Sequence, residues 1–387
     1  MKRIGLIDNL SHIDLFRENR FHLANASEIM AATGGNTGNV AFVHGTRAII
    51  SNPITRIGWG WSPEEVRSRV DQIVICCANQ IGSHVDLGGW GGWLEQVGLP
   101  ITLFGLGAQS EDTSTPPAVP EGTKRFLGVV QSLKSDAGGP NIAVRGEFSK
   151  LVLSELGFES VAAGCPSLFI SPVRNLGERI MQFQQSNPLR RVAVAAGNLW
   201  HGKSAFLEKR LVEIVEMYRG EYVLQHPEVM IKFYCGNQAE ISENERARAL
   251  GVYGDRFDLG SLIDWYRSNA TVYVDVPSWI MSLRRYELTL GPRYHGVALA
   301  VQAGRPACVI AIDGRTEELS AATGVKFLPL SIVRGMDADE LVEACRWSHE
   351  DGERLDAARV ENARSYSEFV SNNGLQVSDH LQGLVSF

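Results

Sequence analysis

No stretch of this 387-residue chain approaches the roughly 20 consecutive apolar residues of a membrane span. The N-terminal run Ile4-Gly-Leu-Ile7 stops at Asp8, too short for the core of a secretory signal. Together these absences predict a cytoplasmic protein. Its six cysteines (Cys76, Cys77, Cys165, Cys235, Cys308, Cys345) form no C-x-x-C pair. That spacing excludes a zinc site of the usual kind and a disulfide framework, and leaves free thiols in a reducing compartment. Block-like positive charge is missing too: 37 basic against 44 acidic residues give a net charge of −7. A nucleic-acid partner, which needs phosphate neutralisation, is therefore not expected, and an anionic ligand would have to be met by local charge. There is no GxxxxGK[ST], no HExxH and no GxSxG, and no clustered ligands for a catalytic metal.

What is present is the composition of a folded protein, 44% hydrophobic and 21% charged. The length suits two domains better than one core. Short apolar runs alternate with amphipathic stretches. Residues 47–50, 71–77, 100–105, 141–145 and 160–163 read as strands, with helices at 63–70 and 148–156, the latter opened near Ser149 and closed at Gly157. The junction falls in 175–188, where apolar periodicity lapses. Beyond it come strands at 190–196, 229–234, 271–275, 287–290 and 307–312, with helices at 204–218, 242–250, 261–268, 278–285 and 296–303. Helices at 338–349 and 353–373 and a short tail close the chain. Such alternation means parallel βα units: an α/β protein of two doubly wound, Rossmann-like domains facing a cleft. The expected divisions are 1–185, 186–350 with the Arg-x-His turn, and 351–387.

Ligands of such sheets bind at the carboxyl ends of the strands, and several polar residues fall there. In Gly291-Pro-Arg293-Tyr-His295-Gly an arginine and a histidine stand between a short strand and a small, apolar helix. Free N–H groups, a helix dipole and two cationic side chains in one turn suit a small anion. Asp313 and Arg315, after the next strand, are placed beside that turn, with Asp313 able to orient His295 or a sugar hydroxyl. Arg145 closes strand 141–145 beside a helix start, where it would clamp a carboxylate or phosphate, or else pair with Glu147. Thr33-Gly-Gly-Asn36-Thr-Gly38-Asn39 is either a tight turn or a loop that approaches a ligand. Gly105-x-Gly107 splits in the same way between backbone packing and ligand approach. Trp200-His201-Gly-Lys203 is a solvated loop or a sugar contact. Trp59, Trp61, Trp90 and Trp93, interleaved with glycines, are core residues or a flexible aromatic surface for a sugar.

In their order these segments resemble the polysaccharide pyruvyl transferase family over roughly residues 30 to 330. The matching motifs are Gly35-Asn36-Thr-Gly38, Pro100 to Gly107, Val144 to Gly157, Gly164-Cys-Pro-Ser-Leu-Phe169, and Arg293-x-His295 with Gly304-x-Pro306. The chain departs from the family pattern at Asn39 and Cys165, each where an aspartate is common, and Arg315 stands near the place of a common lysine. The resemblance implies a fold similar to the B-type glycosyltransferases. It also implies transfer of pyruvate from phosphoenolpyruvate to two hydroxyls of a sugar as a cyclic ketal, with release of phosphate and no cofactor or metal. The acceptor would be a sugar, oligosaccharide or lipid-linked glycan, with peripheral contact to membrane-bound biosynthetic machinery. His295 would be the acid or base and Arg293 the stabiliser of departing phosphate. Arg145, Asn36, Gly38, Gly107, His201, Asp313 and Arg315 would bind substrate. The other readings are a sugar-nucleotide-dependent glycosyltransferase of the same architecture, and a non-catalytic sugar- or anion-binding relative.

Overall fold

The computed structural model describes residues 1–11, 13–19 and 24–385; the last two positions of the expected C-terminal tail lie outside the described residues. Two parallel sheets organise the chain. The first holds β1 (Ile4–Ile7), β2 (Ile54–Arg56), β3 (Gln72–Cys76), β4 (Asn79–Ile81), β5 (Ile101–Ala108), β6 (Ile142–Val144) and β7 (Val161–Ala162) in the order β2-β1-β3-β5-β6-β7, with β4 paired on β5. The second holds β8 (Val192–Ala195), β9 (Glu221–Leu224), β10 (Ala270–Val272), β11 (Leu288–Gly291), β12 (Ala307–Ala311) and β13 (Phe327–Pro329) in the order β10-β9-β8-β11-β12-β13. The expected pair of doubly wound α/β halves is thus present. In each sheet the strand order reverses once, between β1 and β3 and between β8 and β11. Crevices open at such reversals because the connecting helices leave for opposite faces of the sheet.

Each long strand is buried along its whole length, as for β5, because helices cover both faces. In the first sheet Ile4, Leu6, Val74 and Phe104 point into one apolar cluster and Ile7, Ile73, Ile75 and Leu103 into another. The first cluster runs on without a break into the second half. The helix His349–Asn372 returns to the first sheet, where Tyr366 stacks on Phe104 with ring centroids 6.0 Å apart. Buried Arg359 of that helix donates to the carbonyls of Leu168, Val173 and Ser171, and so fastens the chain that crosses between the halves.

Three expectations are corrected. Residues 47–50 are not a strand: they finish the helix Asn39–Ile49, which is buried on most of its surface and therefore shows no clean periodicity, and Ile50 adds a lone bridge to Val377. Residues 229–234 are helical, within Glu228–Cys235, which Pro227 caps and Gly236 ends in the left-handed conformation. A contiguous apolar run fits a buried strand or a buried helix equally well; the strand of this region is β9, just before it. The Trp-Gly segment is not flexible but the helix Gly88–Val97. A Cβ on Gly88 would lie 2.8 Å from the Cα of Gly122 and one on Gly91 3.4 Å from the Cα of Phe126, so these two glycines serve close packing against the helix Glu121–Ser132, while Gly89 and Gly92 face open space. Among the described residues no helix is long and apolar enough to cross a membrane.

Candidate active site

At the reversal of the second sheet, β11 ends on Gly291 at φ 147°, where an added Cβ would sit 2.1 Å from the Ala195 carbonyl oxygen of β8. Only glycine fits there, and its turn launches the helix Tyr294–Gln302 with Arg293 as N-cap. Arg293 donates through Nε and Nη2 to the Gly197 carbonyl (3.3 and 3.1 Å) and through Nη2 to the His226 carbonyl (3.1 Å). One guanidinium thereby ties together the exits of β8, β9 and β11. Its hydrogen-bond partners among the described residues are neutral carbonyls. Burial, and then the neighbouring Arg315, pull its pKa down to about 10.

Across the cleft, Arg145 follows β6 of the first sheet and is 4% exposed. It donates to the Gly105 carbonyl (2.8 Å), Asn79 Oδ1 (3.0 Å) and the Cys77 carbonyl (3.3 Å), and its charge lies over the Phe42 ring at 5.6 Å. The expected alternative partner, Glu147, faces Lys150 instead. The helix start beside Arg145 is not vacant for a ligand: Glu318, from the other half, accepts from Ser149 N (2.7 Å) and Ser149 Oγ (2.9 Å). Glu318 belongs to the helix Gly314–Thr323, whose Arg315 pairs with Asp313 at 3.0 Å and donates to Gln109 Oε1 of the first half at 3.3 Å. These bonds hold the three guanidiniums in one register across the cleft.

Between them lies a cavity of about 500 Å³, lined by Asn36, Arg145, Arg293, His295 and Arg315 and by amides including Asn9, Asn79 and Gln225. Among its described lining residues there is no Asp or Glu. The helices Asn39–Ile49 and Tyr294–Gln302 both begin here, and neither has a side-chain cap. Both dipoles add to the positive field, although the N–H groups of Asn39, Val40 and Ala41 already bond the carbonyls of Asn36, Thr37 and Gly38. Gln225 is 1% exposed, and its Nε2 has no hydrogen-bond partner among the described residues. A Cβ on Gly38 would lie 2.5 Å from Gln225 Oε1, and one on Gly296 would lie 2.6 Å from Nε2, so two glycines make the slot that holds this amide.

His295 stands in the first turn of its helix with Nε2 3.6 Å from Cys165 Sγ, which in turn accepts from Ser167 Oγ at 3.1 Å. Burial first, then Arg145 and Arg315, press its pKa down to about 3. His226, hydrogen-bonded to the Gly35 carbonyl, is held at about 4 by burial and Arg293. Both imidazoles are therefore neutral near pH 7 while no anion is bound.

The remaining predicted residues have other positions. Gly38 lies behind Asn36 and Gln225. Gly107 sits under Asn79, whose Oδ1 would be 2.3 Å from an added Cβ, and Gly105 bends β5 so that its carbonyl reaches Arg145. Gly105 and Gly107 thus lie within β5 and not in a turn after it, where they serve packing and position Arg145. His201 is not among the lining residues: it bonds Ser204 Oγ at 2.8 Å, while Lys203 pairs with Glu111. Asp313 spends its carboxylate on the cap at Thr316 N (2.9 Å) and on Arg315, so it positions the arginine and not His295. Sequence reasoning missed Asn9, Asn79, Asn198, Gln225 and His226. All stand near strand exits, and that position was the signal that could have found them.

The family model for polysaccharide pyruvyl transferase matches residues 13–314. No curated protein matches the chain. Solved structures similar to it include S. aureus MnaA with UDP (11% identity, 98% of this chain and 100% of that one, TM-score 0.46). Anabaena Alr3699/HepE in complex with UDP is similar at 11% identity over 99% and 97% of the two chains, with a TM-score of 0.40. The UDP-GlcNAc 2-epimerase from Neisseria meningitidis bound to UDP-GlcNAc is 11% identical over 94% and 99%, with a TM-score of 0.39.

Proposed function

We propose that this chain, which belongs to the polysaccharide pyruvyl transferase family, moves pyruvate from phosphoenolpyruvate onto two hydroxyls of a sugar as a cyclic ketal and releases phosphate. The observation that carries this reading is the cavity at the strand reversal, which gathers three guanidiniums, three imidazoles (His84, His226 and His295) and two helix starts without side-chain caps, with no Asp or Glu among its described lining residues. Phosphoenolpyruvate carries a carboxylate and a phosphate. Arg293 and Arg145 donate to neutral oxygens, while the nearby buried carboxyls of Glu208 and Glu318 are engaged by other donors, so each guanidinium keeps charge for one anionic group. Arg315, already paired with Asp313, contributes less.

The reaction adds a proton to the methylene carbon and one sugar oxygen to the carbon that bears phosphate. Loss of phosphate leaves an oxocarbenium-like carbon, which the second sugar oxygen closes into the ketal. Of the two hydroxyl protons, one balances the methyl group and the other leaves with phosphate. His295 is the group suited to deliver the first proton. In the empty cavity it is neutral, so it must take up a proton as the dianion enters; the substrate charges its own acid. Arg293 and the N–H groups of the turn stabilise the charge that gathers on departing phosphate. The scheme uses no cofactor and no metal.

The test is phosphate release from phosphoenolpyruvate against a panel of free and lipid-linked galactose, mannose, glucose and N-acetylhexosamine, with nucleotide sugars alongside. Acceptor-dependent phosphate supports the transferase. Release of nucleotide from a sugar donor, with phosphoenolpyruvate untouched, overturns it in favour of glycosyl transfer.

A further inference from the structure

The first sheet has a reversal of its own, and the residues above it are built as a saccharide site. β1, β2 and β3 exit side by side into a second cavity of about 540 Å³. Its walls are Asp8, Asn9 and Ser11 after β1, Arg56 at the end of β2 with Trp59 beyond it, and Gln80 in β4, with Trp90 rising from the helix Gly88–Val97. The position is the one where a doubly wound sheet of this order takes its ligand.

The chemistry of those walls is that of a sugar subsite. Trp59 and Trp90 are stacked with centroids 4.5 Å apart and planes 12° apart, and Trp93 meets Trp59 edge-on, so the indoles form one braced slab along the cavity. Aromatic faces of this kind cover the C–H face of a pyranose ring. Hydroxyl partners stand beside them. Arg56 grips Asp8 bidentately (2.7 and 3.0 Å) and donates to the Leu10 carbonyl, which fixes a charged pair whose guanidinium still faces the cavity. Gln80 accepts from Ala78 N through Oε1 at 3.2 Å, and its amide donor has no hydrogen bond among the described residues. Asn9 Oδ1 is buried and has no hydrogen-bond partner among the described residues, a position that a ligand donor would repair. Asn9 also lines the anion cavity, so the two cavities share this one side chain as a common wall.

We infer that this tryptophan-walled cavity binds the pyranose ring of the acceptor and presents two of its hydroxyls past Asn9 to the anion cavity. The inference rests on the transferase reading for the word acceptor, but saccharide binding itself does not need that reading to be right. It is tested on the full chain by calorimetry with methyl galactoside, methyl mannoside, methyl glucoside and N-acetylglucosamine, and separately with inorganic phosphate. Two variants bear on it. Trp59→Ala removes the slab's central face, and Ser11→Trp fills the cavity from an exposed rim position without touching the core. The expected result is binding of at least one saccharide by the wild type and a loss of tenfold or more in both variants, with phosphate affinity unchanged. Saccharide binding that survives in both variants, or no binding of any panel member by the wild type, overturns the site. If saccharides bind here while phosphoenolpyruvate is never consumed, the transferase reading falls and the sugar site stands. If phosphate release depends on acceptor while Ser11→Trp leaves the acceptor KM unaltered, the site falls and the transferase stands.

Discussion

The sharpest consequence of the structure concerns the proton on His295. Burial beside Arg145 and Arg315 takes its pKa from 6.5 to about 3, which corresponds to about 5 kcal/mol against the imidazolium. A phosphate group entering the cavity acts in the opposite direction. At an effective dielectric of about 20 each unit of negative charge at about 4 Å favours the imidazolium by about 4 kcal/mol. One to two such charges therefore offset the whole penalty and return the group to the neutral range. The perturbation is phosphoenolpyruvate, or inorganic phosphate as its simpler stand-in, added to protein labelled with ¹⁵N-histidine. Ring resonances are followed against pH, and the His295→Gln variant identifies the relevant signal. In the free protein His295 should remain neutral down to below about pH 5. With the anion bound its midpoint should rise by about 2 units or more, and calorimetry in buffers of different ionisation enthalpy should show proton uptake on binding. Titration of His295 between pH 6 and 7 in the free protein, or a midpoint indifferent to phosphate, would refute the idea that substrate charges its own acid.

Other outcomes follow from the same geometry. His295→Ala should lower turnover by roughly 10²-fold or more with an unchanged circular dichroism spectrum, and near-normal turnover would remove this residue from the mechanism. Gly296→Ala would place a Cβ 2.6 Å from Gln225 Nε2 and 2.8 Å from the Ala195 Cβ on β8. The amide can shift but the strand cannot, so the variant should lose about 1–3 kcal/mol in urea unfolding and bind phosphate more weakly; wild-type stability would contradict the slot described for Gln225. His226 and His295 have folded pKa values of about 4 and about 3, below the 6.5 of the unfolded chain. The unfolded state thus binds more protons as pH falls through that window. The stability these two residues contribute is complete above about pH 6.5 and lost towards pH 4 and 3. A double Gln variant should flatten the loss measured by thermal unfolding between pH 6.5 and 4; an unchanged slope would count against neutral histidines.

Much of this site could be read from residue order because its central turn is local. The strand before Gly291, the small apolar helix after it and the two cationic residues between them lie within one short segment. Arg145 was legible for the same reason, at the end of a short buried strand before a helix. What faces Arg145 was not. Glu318 lies 169 positions from Ser149 and Cys165 lies 130 from His295, and no local pattern brings them together. The misreading of Val229, Met230 and Ile231 as a strand had a wider effect, because an apolar run with one Lys carries no period that separates helix from strand. It hid β9, and with β9 the two residues at its exit, Gln225 and His226. For the tryptophans the sequence left two readings open, core or flexible surface. The glycines between them are compatible with either, and in the fold Gly88 allows two helices to touch backbone to backbone and so brings Trp90 edge-on to Phe126.

The central claim is that the cationic cavity converts phosphoenolpyruvate and a sugar into a ketal. The most direct measurement is ¹³C NMR of the products formed from [2-¹³C]phosphoenolpyruvate and the acceptor that best releases phosphate, with the Arg293→Gln variant as control. The account predicts a quaternary ketal carbon attached to sugar in step with phosphate, and its loss in the variant. Free pyruvate as the sole labelled product, or phosphoenolpyruvate that remains intact with every acceptor, would contradict it.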